Sequence, residues 1–142
     1  MCNGTMLALE FVVDGINYLI DATFVDSIML PPRETAFIPR HDDKKVELFS
    51  FRGEITPLIN FNMLLGNEQR GKDNVMTFFI DNRFFAFYIS DIGSVLNIDD
   101  DEIHPHNHPT SCMRGMYESP SKKLYTVVDT LKFTDLIRKS AR

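Results

Sequence analysis

The chain contains an internal repeat, and this repeat restricts its possible folds more than any other feature of the sequence. A shift of 67 positions places residues 11–30 on residues 78–97 without a gap. Phe-Val-Val-Asp at 11–14 then meets Phe-Phe-Ile-Asp at 78–81. The matches continue from Val25, Ser27, Ile28 and Met29 to Ile92, Ser94, Val95 and Leu96. Self-similarity at a fixed spacing indicates two copies of one structural unit.

Two shorter matches extend the repeat toward the C-terminus. Arg52-Gly53 matches Arg114-Gly115 with a shift of 62, and residues 58–60 (LIN) match residues 127–129 (VVD) with a shift of 69. Each half therefore consists of a strand, an Asp turn, a strand, a short bent or helical segment, a loop, a strand, Arg-Gly and a strand. Coincidental alternation within a single sandwich is the alternative interpretation, because alternation is common in all-β chains.

Local signals support a mainly β fold. Asp14-Gly15 and Asp81-Asn82 lie between strand-like runs, and such pairs supply the positive φ angles that a two-residue hairpin turn needs. The helical spacing of apolar residues after Ile20 predicts a short helix or turn there. Residues 31–45 and 99–111 are polar and predict loops. Residues 113–133 predict two strands around a polar turn at 118–123.

Two helices are predicted outside these strands. Residues 62–65 indicate a short helix closed by Gly66, and the tail from residue 134 indicates a final helix with Thr134 as its N-cap. Each half has too few strands for an open sheet with two covered faces, whereas closure into a small barrel removes the exposed edges. Two barrels packed side by side would bury a shared core and leave an apolar cleft for a partner.

Composition excludes several classes of protein. The chain has 142 residues and a net charge of -5, which disfavours a nucleic-acid-binding face. No apolar run approaches the length of a membrane span, and no secretory signal is recognised. Cys2 and Cys112 lack metal-ligand spacing, so we interpret them as free thiols in a reducing compartment, with a disulfide between them as the alternative.

Signals for chemistry are weak. His104, His106 and His108 alternate in a proline-flanked loop and could bind a metal or sense pH, but no cysteine or carboxylate stands at ligand spacing. The chain has no P-loop, no G-x-G-x-x-G, no G-x-S-x-G and no H-E-x-x-H motif. We therefore predict no catalytic residues, no metal site and no cofactor.

Four segments together resemble the chemotaxis coupling proteins of the CheW family. They are YLIDATFVDSI, FSFRGEITPLINFNMLLG, FAFYISDIGSVLNIDDDEIHP and MRGMYESPSKKLYTVVDTLKF, and the resemblance covers residues 8–133. Arg52, Gly53 and Pro57 stand where the family has them. Glu47 replaces a usual glycine, and Ser27 occupies a position that is often acidic in the family.

The resemblance implies a mainly β fold with two small, pseudo-symmetric, five-stranded SH3-like barrels and short helices, one of them C-terminal. Residues 1–142 would form one CheW-like domain, with interlocked subdomains at about 15–75 and 76–133. The N-terminal strand is a candidate to complete the second barrel.

The resemblance also implies a function. The chain would be a non-enzymatic, cytoplasmic adaptor that couples chemoreceptor tips to the regulatory domain of the histidine kinase CheA, without nucleic acid and without membrane insertion. The receptor-side candidates are Val25, Ser27, Ile28, Arg52 and Gly53. The candidates for packing on the partner barrel are Ile92, Val95 and Leu96. A structural role for Arg52, satisfying barrel carbonyls, is equally compatible with its five fixed donors.

Two other functions remain as alternatives. An OB-like barrel could bind another ligand or single-stranded nucleic acid by stacking bases on Phe49, Phe51, Phe84 and Tyr88. A hydrolytic enzyme could use the histidine loop.

Overall fold

The computed structural model describes residues 4–39, 45–61, 70–105 and 113–140, and these residues form twelve strands and one C-terminal α-helix. Short 3-10 turns lie at Ala22–Phe24 and Asp100–Glu102. The elements are β1 (Thr5–Val13), β2 (Ile16–Asp21), β3 (Val25–Met29), β4 (Ala36–Pro39), β5 (Lys45–Phe51), β6 (Glu54–Asn60), β7 (Asn74–Ile80), β8 (Arg83–Ile89), β9 (Asp91–Asp99), β10 (His104–Pro105), β11 (Met113–Glu118), β12 (Leu124–Val128) and α1 (Thr130–Ser140).

The described strands form two six-stranded sheets with the same internal order. Sheet 1 runs β10-β11-β12-β2-β1-β9, and sheet 2 runs β4-β5-β6-β8-β7-β3. Exchanging β1–β6 for β7–β12 converts one order into the other. Each sheet therefore combines two strands of one half with four strands of the other half, and the two halves are interlocked in a pseudo-symmetric manner.

The strand register follows the sequence repeat residue by residue. Ile28 of β3 pairs with Met76 of β7, and the same positions shifted by 67 are Val95 and Leu9, which pair in β9 and β1. Both pairings contain a bulge at equivalent places, beside Asp26 in β3 and beside Gly93 in β9. The repeat is therefore structural and not a coincidence of alternation.

The match of residues 58–60 to 127–129 is also confirmed by pairing. Leu58 pairs in parallel with Ala86, and Val127 pairs in parallel with Leu19, which is the equivalent of Ala86. The Asp14-Gly15 and Asp81-Asn82 turns are present, with φ of 50° and 83° in the first and 53° and 61° in the second.

The match of the two Arg-Gly pairs is wrong. Arg52-Gly53 forms the hairpin turn between β5 and β6, with φ of 49° and 80°. Arg114-Gly115 lies inside β11, and the equivalent turn of the second half is the longer segment at 119–123. A dipeptide is too short to establish structural equivalence when the two turns differ in length.

The short helix or turn predicted after Ile20 is confirmed, because this segment forms one 3-10 turn, capped by the Asp21 carboxylate on the Thr23 N–H at 3.0 Å, and then continues as β3. The predicted start of the final helix is wrong. The final helix begins at Thr130, because the Asp129 carboxylate accepts from the Lys132 N–H at 3.2 Å. The Thr134 hydroxyl instead donates to the Thr130 carbonyl at 2.8 Å within the helix.

The segments predicted as loops contribute a sixth strand to each sheet. Segment 31–45 contains β4, and segment 99–111 contains β10, and both lie at sheet edges. The predicted helix at 62–65 lies outside the described residues. The mainly β, two-unit architecture is confirmed, whereas the subdomain limits of 15–75 and 76–133 stay a prediction.

A shared core joins the two sheets. Phe87 of sheet 2 lies at its centre, with ring centroids 5.6 Å from Phe11, 5.5 Å from Phe61, 5.4 Å from Phe78 and 5.2 Å from Phe133 of the C-terminal helix. Its buried members are Leu9, Phe11, Val13, Tyr18, Ile20, Phe61, Met76, Phe78, Ile80, Phe85, Phe87, Ile89, Val128 and Phe133.

The opposite face of each sheet has an inner cluster of its own. Because side chains alternate between the faces of a strand, neighbouring residues of one strand enter different clusters. In sheet 1 the inner cluster is Met6, Ala8, Leu19, Ile98, Ile103, Tyr117, Tyr125 and Val127. In sheet 2 it is Phe49, Leu58, Val75, Ala86 and Tyr88. Edge strand β9 shares one cluster with β11 and β12, so sheet 1 curls around its own inner face.

Candidate protein-binding surfaces

Arg52 connects the β5–β6 turn to the far edge of sheet 2. Its Nη1 atom lies 3.0 Å from Oδ1 of Asp26, which is on edge strand β3. Strands β8 and β7 separate β6 from β3 in the sheet. Neighbouring strands lie about 4.8 Å apart, so a flat sheet would hold these elements about 14 Å apart. The sheet must therefore curl, and the turn closes over its open end.

Two aromatic rings support the Arg52 guanidinium. Its central carbon lies 4.9 Å from the Phe51 ring centroid and 5.6 Å from that of Phe84. Phe84 in turn contacts Phe79 with centroids 4.7 Å apart. We call Asp26, Arg52, Phe51, Phe79 and Phe84 the Arg52 cluster. Cation–π contacts of this kind hold a guanidinium at a defined place on the surface.

Asp26 is held from its second oxygen as well. Its Oδ2 accepts from the Thr77 hydroxyl at 3.3 Å, and the Thr77 and Ser27 hydroxyl oxygens lie 2.6 Å apart. Thr77 is fully buried. The predicted receptor-side residue Ser27 is therefore half-buried and engaged within the sheet.

The other predicted receptor-side residues divide into two groups. Arg52 and Gly53 are exposed on the β5–β6 turn. Val25 and Ile28 are half-buried and pack against the shared core, paired with Phe78 and Met76. The structure thus brings the Arg52 turn against β3 but directs Val25 and Ile28 toward the interior.

The residues predicted to pack on a partner barrel lie on a different sheet. Ile92 and Val95 are 36% and 51% exposed on edge strand β9 of sheet 1. Leu96 is half-buried and packs against the inner cluster of that sheet. The two predicted groups therefore occupy equivalent edges of different sheets and do not form one continuous surface.

Sheet 2 exposes an apolar surface that the sequence analysis did not identify. Directly paired residues lie on one face of a sheet, and Leu48 pairs with both Ala36 and Pro57, while Ser50 pairs with Ile55. Ile55 lies on the same face of β6 as Ile59, four residues further on, and Ile59 packs against the shared core. The same face thus continues beyond the shared core, and within the described ranges no other element covers it. We call it the outer apolar face, and it comprises Ala36, Ile38, Val46, Leu48, Ser50, Ile55 and Pro57.

Exposure of the outer apolar face is high at its rim. Ile55 is 75% exposed and Ile38 is 51% exposed. None of the seven residues carries a charge. The sequence did contain a signal for this surface, because residues 46–51 have apolar side chains on both faces of the strand. Only the strand pairing shows which of the two faces is left exposed by the described residues.

The equivalent face of sheet 1 is more polar. Met116 pairs with Thr126 and His104, and Glu118 pairs with Leu124. Three of these five side chains are polar or charged. Within the described residues the two halves therefore share a fold but differ at this surface, and exposed apolar patches of this kind are typical of interaction sites.

Sheet 1 has an ion pair that resembles the one at Arg52. Nζ of Lys123 donates to Oε1 of Glu10 at 2.6 Å, and Glu10 is buried. The hydrogen bond to Glu10 raises the pKa of Lys123. Burial, followed by the charge of Glu10, raises the pKa of the neighbouring Tyr125. A Cβ on Gly93 would meet Glu10 Cδ at 2.6 Å, so the missing side chain at the bulge makes room for this acid.

The residues proposed for base stacking are largely unavailable. Phe49 and Tyr88 are 4% and 8% exposed. The Tyr88 hydroxyl donates to both oxygens of Glu47 at 3.1 Å, and burial together with that carboxylate raises the pKa of Tyr88. Glu47, which replaces a usual glycine of the CheW family, is thereby used within the fold. Nothing in the part of the chain that the structure describes supports the nucleic-acid alternative.

The described part of the chain offers no metal-binding group. Across residues 4–39, 45–61, 70–105 and 113–140, no three His, Cys, Asp or Glu side chains are placed to hold an ion. His104 lies in β10, and His106 and His108 lie outside the described residues. Among the helices described, none is long and apolar enough to cross a membrane.

Two interlocked β units with an uncovered apolar face define a protein-interaction module. The family model of the CheW-like domain matches residues 7–137. The fold is similar to the crystal structure of the scaffolding protein TtCheW from Thermoanaerobacter tengcongensis, with a TM-score of 0.69 and 17% identity over 88% of this chain and 89% of that chain. No curated protein sequence matches the chain.

This chain belongs to the CheW-like domain family. Family membership confirms the resemblance inferred from the four segments. It also confirms the predicted role as a scaffold of chemotaxis-type signalling, since the family couples receptors to the kinase CheA.

Proposed function

We propose that this chain is a non-enzymatic cytoplasmic adaptor that binds a chemoreceptor tip and the regulatory domain of a CheA kinase at the same time. The observation that carries this proposal is the outer apolar face, which has no apolar counterpart among the described residues of the other half. A scaffold without catalytic groups needs such a surface, because its affinity must come from apolar burial with charges at the rim.

The kinase side is proposed on sheet 2. Sheet 1 covers one part of this face of sheet 2, at the shared core, and the outer apolar face is the part that sheet 1 leaves exposed. The CheW resemblance implies that the kinase regulatory domain has the same fold as this chain. That domain would therefore offer a curled sheet of similar shape to cover the outer apolar face. Ile92 and Val95 on β9 are proposed as a second contact with the partner barrel, with Leu96 supporting them from the inner cluster.

The receptor side is proposed around the Arg52 turn. Arg52 and Gly53 are exposed, and Val25, Ser27 and Ile28 lie on the adjacent edge strand. The Arg52 cluster combines apolar rings with a cation, which suits the mixed surface of a helical receptor hairpin. Arg52 also has a structural role, because it connects the turn to β3.

Binding measurements with matched variants test the proposal. Ile55→Glu places a charge on the outer apolar face, and we expect kinase-domain affinity to fall by tenfold or more while receptor affinity is unchanged. Leu124→Glu is the matched control, because Leu124 is 58% exposed on the equivalent face of sheet 1. It should leave both affinities intact. Absence of binding to either partner by the unmodified chain would refute the adaptor proposal.

A further inference from the structure

The Arg52 cluster contains an acidic residue that the sequence did not identify as functional. We propose that Asp26 is a positioning residue, which fixes the Arg52 guanidinium so that it can receive a carboxylate of the receptor. This inference rests on the proposed assignment of Arg52 to the receptor side. It adds a specificity-determining residue to that site and names the chemical group that the site recognises.

Asp26 itself has partners within sheet 2. It occupies the bulge of β3, where its Oδ1 accepts from Arg52 at 3.0 Å and its Oδ2 accepts from Thr77 at 3.3 Å. Thr77 is fully buried on β7, the strand next to edge strand β3. Both carboxylate oxygens of Asp26 therefore have a partner within the fold, and the Thr77 hydroxyl lies equally close to the Ser27 carbonyl oxygen, at 3.3 Å.

The guanidinium retains capacity for a second anion. The Arg52 guanidinium has five N–H donors in a planar fork, and only the donation from Nη1 to Asp26 is described. The Arg52 side chain is 55% exposed, whereas that of Asp26 is only 21% exposed. The rings of Phe51 and Phe84 contact the guanidinium. A guanidinium fixed in this way presents its remaining donors to a carboxylate at low entropic cost.

The other half of the molecule shows that this arrangement is not required by the fold. The residue equivalent to Asp26 is Gly93, which has no side chain. The cation of that half, Lys123, is held by Glu10 on the neighbouring strand instead, and the Glu10 side chain is only 10% exposed. The Glu10–Lys123 pair is therefore a built-in structural control for the Arg52–Asp26 pair.

A double-mutant cycle on the full chain tests the proposal, with the cytoplasmic fragment of a chemoreceptor as the probe. We expect Arg52→Ala to weaken receptor binding by more than tenfold and Asp26→Asn to weaken it by about tenfold. In the Arg52→Ala background, Asp26→Asn should add no further loss. Asp26→Glu, which keeps the charge, should restore part of the affinity.

Two further variants separate positioning from stability. Thr77→Val removes the second support of Asp26 and should weaken receptor binding about threefold, again only when Arg52 is present; it also serves if Asp26→Asn fails to fold. Glu10→Gln breaks the control pair, and it should lower the melting temperature without changing receptor affinity.

Each contrary outcome has one meaning. Unchanged receptor affinity in Arg52→Ala would overturn the proposed receptor contact itself. A loss in Arg52→Ala without a loss in Asp26→Asn or Thr77→Val would overturn only the positioning role. An equal loss from Asp26→Asn in both backgrounds would show that Asp26 acts independently of Arg52 and would likewise overturn the inference.

Discussion

The Asp14 carboxylate accepts a hydrogen bond from the backbone N–H of Gly71 at 2.6 Å. The same carboxylate accepts from the Arg70 N–H at 3.0 Å, and the Asp14 N–H donates to the Ser90 hydroxyl at 3.0 Å. Residues 70 and 71 belong to the segment that joins the two halves of the chain. The first hairpin turn therefore anchors this connection beside the end of β8.

Loss of the Asp14 carboxylate should weaken the whole molecule. In Asp14→Ala, two backbone donors lose their acceptor, and we expect the free energy of unfolding to fall by about 1 kcal/mol. Urea denaturation followed by circular dichroism measures this change. Asp73→Ala, in the same connecting segment, is the control and should change stability much less. Equal effects of the two variants would show that the contacts of Asp14 contribute nothing specific.

The aromatic centre of the shared core should couple both sheets. Phe87 contacts rings from sheet 1, sheet 2 and α1, and Phe87→Ala should cost about 3–5 kcal/mol. Because the shared core couples the two sheets, both sheets should unfold in a single transition, in the unmodified chain and in the variant. Far-UV circular dichroism and tyrosine fluorescence should therefore give the same unfolding midpoint. Phe79→Ala, at a 42% exposed position, should cost far less. Two separated transitions would contradict this coupling.

A methyl group at the bulge of β9 should disturb the Glu10–Lys123 pair. In Gly93→Ala the new Cβ would approach Glu10 Cδ to 2.6 Å, and Glu10 could yield only by leaving Lys123. We expect a loss of about 1–3 kcal/mol in the free energy of unfolding. In the Glu10→Ala background the same substitution should cost little. A cost that is equal in both backgrounds would place the strain elsewhere.

Stability should decrease in alkaline solution, in part because of Tyr88. The pKa of Tyr88 is raised above its ordinary value of 10.0 by burial and by Glu47. The folded protein therefore keeps this proton at pH values where the unfolded chain loses it. The contribution is fully present below pH 10 and is lost as the pH rises, with a slope of about 1.4 kcal/mol per pH unit.

Tyr88→Phe removes this titration. Its unfolding free energy should decline less steeply above pH 10 than that of the unmodified chain, as measured by urea titrations at several pH values. Some slope should remain, because burial also raises the pKa values of Tyr117 and Tyr125. Identical slopes in the two proteins would contradict the assignment to Tyr88.

Sequence patterns predicted those features that depend on neighbouring residues. Asp14-Gly15 and Asp81-Asn82 predicted two hairpins because few residues adopt positive φ at both turn positions. The shift of 67 predicted equivalent strands, and the pairing of Ile28 with Met76 and of Val95 with Leu9 confirms it. In these cases local geometry and the repeat together determine the register.

Features that depend on the curl of the sheets could not be predicted in this way. Arg52 and Asp26 are 26 positions apart in the chain, and nothing in their spacing indicates an ion pair. The same applies to Glu10 and Lys123, at a separation of 113 positions. Val25 and Ile28 stay predicted partner contacts, and the sequence did not show that both also pack against the shared core. Only the three-dimensional path of the strands decides these cases.

The exchange of strands between the halves has a consequence for ancestry. A chain with only β1–β6 would place β1 and β2 in one sheet and β3–β6 in the other. Two such chains would therefore have to form a strand-exchanged homodimer to complete both sheets. Tandem fusion of the two genes would make that dimer permanent at any concentration. After fusion the two copies could also diverge in sequence, which identical subunits cannot do. One copy could then keep an apolar surface while the surface of the other became hydrophilic.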